Sequence, residues 1–159
     1  MNTEDTRPAK SLVARIEEEL VAMERLLSDL RAIQLENGML SRRARGSVLH
    51  DFYNCCERVF RMVTQEIDGE NLTGERWHRS VLAAMTREIR GVRPTVISQE
   101  TASILDEYLG FRHVFRNIYG FELLGERIDR LCAALPTVAE RTEREIRRFL
   151  ASLSTNAGN

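Results

Sequence analysis

Lysine is almost absent from this chain. Lys10 is the only one in 159 residues, so the 23 basic side chains are nearly all arginine. Against 24 acidic residues they leave a net charge of −1, which exerts no global pull towards nucleic acid or an anionic membrane. Long apolar runs are missing too. None approaches the ~20 residues of a membrane span, and the opening MNTEDTRPAK lacks the apolar core of a signal peptide. A cytoplasmic protein without membrane association is expected. Cysteine is scarce and odd in number: Cys55, Cys56 and Cys132 sit in apolar patterns, as buried thiols do. The sequence has no cluster of the roughly four ligands that a zinc site needs. The glycine-containing stretches GVRP and DGENLTGE lack the spacing that cradles phosphate, and no serine sits on a nucleophile elbow. Neither a metal nor a cofactor is expected. Strand-like alternation and internal repeats are absent as well.

What remains is helical periodicity. Apolar residues make up 43% of the chain, enough for one domain with a core. Ile16, Leu20, Met23, Leu27 and Leu30 are spaced by three and four and predict a helix over 9–36, stopped at Asn37-Gly38. Leu49, Phe52, Cys56, Val59, Val63 and Ile67 line the apolar face of a second helix, and DGENLTGE at 68–75 reads as a turn. Trp77, Val81, Met85 and Ile89 mark a third helix ended by Gly91 and Pro94, with Trp77 buried in the bundle. Ser98 is a plausible N-cap for a fourth, ended or bent at Gly120. A fifth covers 122–152 and is broken or kinked at Pro136. The fold class expected is all-α, an antiparallel bundle of about five helices. Residues 1–8 form a disordered N-terminus, 9–152 a single domain and 153–159 a frayed tail. The charged outer face of the first helix reads as solvated Glu–Arg pairs, with a coiled coil to a partner as the alternative.

One stretch breaks the usual division between apolar and charged faces. In FRHVFRNIYGFEL, residues 111–123, polar side chains stand among aromatics. At about 100° per residue, Arg116 lies about 40° round from Arg112 and Tyr119 about −20°, so the three share one stripe. His113 and Asn117 form an i,i+4 pair on the neighbouring face. Two arginines on one stripe repel each other unless paired, and a phosphate would satisfy both through forked donors. Pairing with Asp106, Glu107 or Glu122 is the structural alternative. His78 beside Trp77 reads as a packing contact between helices three and four. His50, Asp51 and Tyr53 offer no convincing triad.

The segment resembles the active-site segment of HepT-like proteins of the HEPN superfamily. The motif there is Arg, a polar residue, three variable positions and His, with a Tyr two positions later. Arg112, His113 and Tyr119 match, and Asn117 stands where the His is usual. LHDFYNCCERVF at 49–60 and GERWHRSVLAAM at 74–85 also resemble HepT-like segments, so the likeness spans about 45–150. It implies a HEPN-like bundle, commonly dimeric, and a metal-independent ribonuclease toxin neutralised by a nucleotidyltransferase antitoxin. It further implies Arg112, His113 and Asn117 as the catalytic positions, Arg112 and Arg116 at RNA phosphate, and Tyr119 as the acceptor of an adenylyl group. Asn does not titrate near neutral pH and cannot replace His as an acid or base. His113, one turn earlier, is a possible substitute. The alternative is an inactive relative that keeps a nucleotide, RNA-phosphate or partner-binding surface, and a third reading is a plain helical interaction protein. Arg112 and Asn117 lie about 140° apart on a helix, so a homodimer pairing two copies of this segment is expected.

Overall fold

The computed structural model describes residues 10–34, 38–117 and 124–156. Within them lie five α-helices, α1 Leu12–Ile33, α2 Met39–Met62, α3 Trp77–Ala84, α4 Gln99–Asn117 and α5 Gly125–Asn156, and a π-helical turn, Val63–Ile67, that continues α2. The fold class is the all-α bundle expected. The second helix is its centre, packing against α1, α3, α4 and α5. Its inward residues Leu49, Phe52, Tyr53, Cys56, Val59 and Phe60 are fully or almost fully buried, which is why one helix can organise four neighbours.

Local chemistry sets the helix ends. Ser11 caps α1, its hydroxyl accepting from the Ala14 N–H at 3.2 Å. Ser98 caps α4 by accepting from Thr101 N–H at 3.1 Å. Glu145 of α5 ties down the same cap, accepting from the Ser98 N–H at 2.9 Å and the Thr101 hydroxyl at 3.0 Å. The fifth helix runs without a break through Pro136 and on to Asn156. Gly46 of α2 marks a close approach to α4: a Cβ there would lie 2.6 Å from the Phe115 ring.

The third helix is shorter than its apolar spacing predicts. It ends at Ala84, not near Ile89: the N–H groups of Met85, Thr86 and Arg87 fall back on carbonyls three residues earlier, and Arg93 gathers the carbonyls that follow. The Arg93 guanidinium donates to Ala84 O at 3.1 Å and Arg87 O at 2.8 Å, while Met85 O accepts from Val96 and Ile97. The same guanidinium forks onto Asp68, at 2.6 and 2.8 Å, and both side chains are essentially inaccessible to solvent. Asp68 reaches this position through the π-helical turn, closed by its own N–H on Val63 O at 3.1 Å. The turn after α2 and the loop after α3 are thus clamped together. Trp77 is half-buried at the start of α3, with Arg61 over its ring at 4.8 Å. It packs against the edge of the core without being enclosed by it.

Three charges of α1 pair with the bundle. Glu19 accepts two bonds from Arg58 of α2, Arg15 meets Glu66, and Glu17 meets Arg147 of α5. Exposed pairs of this kind contribute about 0–1 kcal/mol each, so they set register more than stability. The three cysteines are free and buried, and burial pushes the thiols of Cys55 and Cys132 up to about 11. Among the described residues no helix is long and apolar enough to cross a membrane, and no group of three or more His, Cys, Asp or Glu is placed to hold a metal ion.

Candidate functional site

Arg112 is the hub of the polar segment, and it is buried. The fourth helix carries it inward between Phe111 and the flank of α2. There Asn54 and Glu57, one turn apart, point at it from the same helix. One terminal nitrogen of Arg112 donates to Asn54 Oδ1 at 2.8 Å and Glu57 Oε1 at 3.0 Å. The other donates to Glu57 Oε2 at 2.9 Å. Tyr53 lies beneath, its ring 4.8 Å from the guanidinium carbon. The pairing is bidentate and shielded, the geometry in which an arginine–carboxylate contact is strongest. Burial opposes the charge on Glu57, but the hydrogen bonds from Arg112 and His78 outweigh it and hold the carboxyl below its ordinary range.

His78 of α3 completes the cluster. Its Nδ1 lies 2.7 Å from Glu57 Oε2 and 2.9 Å from the second terminal nitrogen of Arg112. An ionised carboxylate only accepts and a guanidinium only donates, so the ring nitrogen can serve one of them. When Nδ1 donates along the shorter contact, to Glu57, the neutral ring carries its lone pair on Nε2. On the far side of Arg112, Asn54 Nδ2 lies 3.2 Å from His50 Nδ1. A network therefore runs from His50 through Asn54, Arg112 and Glu57 to His78.

This network opens onto a groove between α3 and α4. A cavity of about 650 Å³ is bordered by Arg76, His78 and Arg79 on one side, by Gly110 and His113 on the other, and by Arg127 of α5. An adjoining recess of about 240 Å³ is lined by His78, Leu109, Arg112, His113 and Arg116. Gly110 leaves the wall of α4 low between His113 and Leu109. Arginine dominates the lining, and Arg79 is paired at the rim with Asp106 at 3.2 Å. An arginine-rich groove bearing imidazoles binds anions and can exchange protons with them.

The residues singled out from sequence fall as follows. Arg112 is buried within the network, while His113 and Arg116 are exposed and line the recess. Asn117 is the last residue of α4 and its side chain lies outside the described residues, as do Tyr119 and Gly120. The acids expected to pair with the arginines turn elsewhere: Asp106 to Arg79 and Glu107 to Arg130, with Glu122 outside the described residues. The partner of Arg112 is Glu57, 55 positions away. Sequence reasoning passed over Glu57 and Asn54, and read His78 only as a packing contact beside Trp77. The signal was there, since all three lie in the two flanking segments that resemble HepT-like proteins.

A family model described as HepT-like protein matches residues 44–153. The match runs from within α2 into the last turn of α5 and takes in every residue of the network and the groove, and the chain belongs to the HepT-like family of the HEPN superfamily. No curated protein and no solved structure matches it.

Proposed function

We propose that this protein is a ribonuclease toxin that cuts RNA without a metal ion, is neutralised by a nucleotidyltransferase antitoxin, and binds its substrate in the groove between α3 and α4. The observation that carries the reading is the Arg112–Glu57–His78 network opening onto an arginine-rich groove that also holds His113. An RNA backbone brings phosphates for the arginines and a 2′-hydroxyl that acts as an internal nucleophile once deprotonated. Imidazole performs both proton transfers of such a cleavage, so no metal-bound hydroxide is required. Arg112 and Arg116, which both line the recess, flank the reacting phosphate in this reading. The catalytic positions of the motif, Arg112, His113 and Asn117, stand at the groove end of α4. A homodimer would set two such ends side by side and lengthen the surface available to a strand.

The test is cleavage of single-stranded RNA by the purified protein in excess EDTA, with light scattering to give the mass of the active species. Products ending in a 2′,3′-cyclic phosphate, at a rate that added magnesium does not raise, are expected. Cleavage that appears only when magnesium is supplied would sink the metal-independent chemistry. Asn117 favours a second reading, a relative that binds RNA phosphate without cutting it, because Asn cannot move a proton near neutral pH. Retained RNA binding with no cleavage product would decide for that reading.

Control by the antitoxin is proposed to act at Tyr119. The phenolic oxygen would attack the α-phosphorus of a nucleoside triphosphate on the partner, losing its proton while pyrophosphate departs. The new phosphodiester would then compete with RNA for the arginines at this end of α4. Co-expression with a cognate nucleotidyltransferase and peptide mass spectrometry should place the adenylyl group on Tyr119. Neutralisation with Tyr119 unmodified would point to steric masking instead.

A further inference from the structure

We propose that His78, outside the α4 motif, is the catalytic base of the groove, with Glu57 as its positioning residue; this rests on the ribonuclease reading above. The α4 motif carries Asn at the position where a titratable group is usual, yet the fold brings an imidazole to Arg112 from α3. Three observations single it out. Nδ1 lies 2.7 Å from Glu57, the contact through which a carboxylate orients a histidine base and leaves Nε2 for the substrate. The side chain is 35% exposed, open enough to meet a substrate, whereas Glu57 behind it is buried. It lines both the large cavity and the recess beside Arg112, so its ring stands where the two meet. The bidentate pair between Glu57 and Arg112 is complete without His78, so the imidazole is an addition to the clamp and not a part it needs.

In the reaction, Nε2 of His78 takes the proton of the RNA 2′-hydroxyl. The 2′-oxygen attacks phosphorus, the bond from phosphorus to the 5′-oxygen breaks, and that oxygen takes a proton from the imidazolium of His113 across the groove. The products are a 2′,3′-cyclic phosphate and a 5′-hydroxyl. The two imidazoles end with their protons exchanged and return to their starting states through water. The charged groups facing His78 are Glu57 from α2 and Arg112, His113 and Arg116 from α4. On its own side stand Glu75, Arg76 and Arg79, and from α5 comes Arg127.

The experiment compares wild type with His78→Asn and His78→Ala on a fluorescent single-stranded RNA in EDTA, across the pH range in which histidine titrates. The asparagine amide can still donate to Glu57, so His78→Asn keeps the hydrogen bond but has no base. We expect it to remain folded by circular dichroism, to lose about 10²–10⁴-fold in kcat/KM, and to lose the acid limb of the wild-type pH profile. Added imidazole should restore part of the activity of His78→Ala. Wild-type activity and an unchanged acid limb in His78→Asn would overturn the assignment and reduce His78 to a packing residue, leaving the ribonuclease reading intact. If instead the folded wild type cuts no RNA, that reading fails and this assignment falls with it.

Discussion

Replacing Arg93 by alanine should cost about 3–5 kcal/mol, the usual penalty for stranding one member of a buried ion pair. The side chain makes five polar contacts, two to Asp68 and one each to the carbonyls of Ala84, Arg87 and Pro94, with no measurable exposure to water. Truncation strips the Asp68 carboxylate of both guanidinium bonds and the carbonyls of Ala84, Arg87 and Pro94 of one each, in a space water reaches poorly. A domain of this size has a total stability of roughly 5–15 kcal/mol, so a large fraction goes at once. Arg93→Lys should rescue little, because an ammonium carries the charge without the planar fork that reaches a carboxylate and carbonyls on several sides. Urea unfolding followed by circular dichroism measures both variants. A midpoint within error of wild type for Arg93→Ala would show that the clamp is ornamental. The effect should reach function through α3: Arg93 holds the carbonyl of Ala84, and α3 is the element that presents His78 to the groove.

This clamp also marks where the sequence stopped being readable. The apolar spacing of Trp77, Val81, Met85 and Ile89 continues a helix that the structure ends at Ala84, since periodicity records which side chains face the core and not which carbonyls are taken by a distant guanidinium. The cap of α4 is legible because it is local: Ser98 meets Thr101 three positions on. Arg112 shows the same divide. Its inclusion in a polar stripe was visible from the helical period, but its partner was not, because helical spacing reports neighbours along one helix and Glu57 lies on another. The acids that spacing nominated, Asp106 and Glu107, face outward to Arg79 and Arg130. Resemblance recovers part of what periodicity cannot, since the segments around Glu57 and His78 stand out whole by likeness, although Glu57 and Asn54 receive no role from the sequence and His78 only that of a packing contact.

Glu57→Ala is expected to be as costly as Arg93→Ala, about 3–5 kcal/mol, and it separates stability from chemistry in a way that Arg93 cannot. The truncated site keeps Arg112 buried and charged with Asn54, the neutral imidazole of His78 and the ring of Tyr53 as its remaining company, and no counter-charge. Removing the charge from both partners, as in Glu57→Leu with Arg112→Met, should regain most of the loss, because well-packed apolar groups of similar volume commonly match or exceed a buried ion pair. The regained protein should still fail to cut RNA, having lost the carboxylate that orients His78 and the cation beside the recess. A stable and active double variant would mean that the network only supports the fold. The pH dependence gives an independent check. The folded state holds the Glu57 carboxyl below the ~4.3 of an unfolded chain, so its contribution is fully present above that pH and fades as pH falls through the lower folded value. Wild type should therefore lose stability on acidification below about pH 4 more steeply than the double variant does. Parallel acid limbs in the two proteins would assign the acid sensitivity to other carboxylates and remove Glu57 as the titrating element of the clamp.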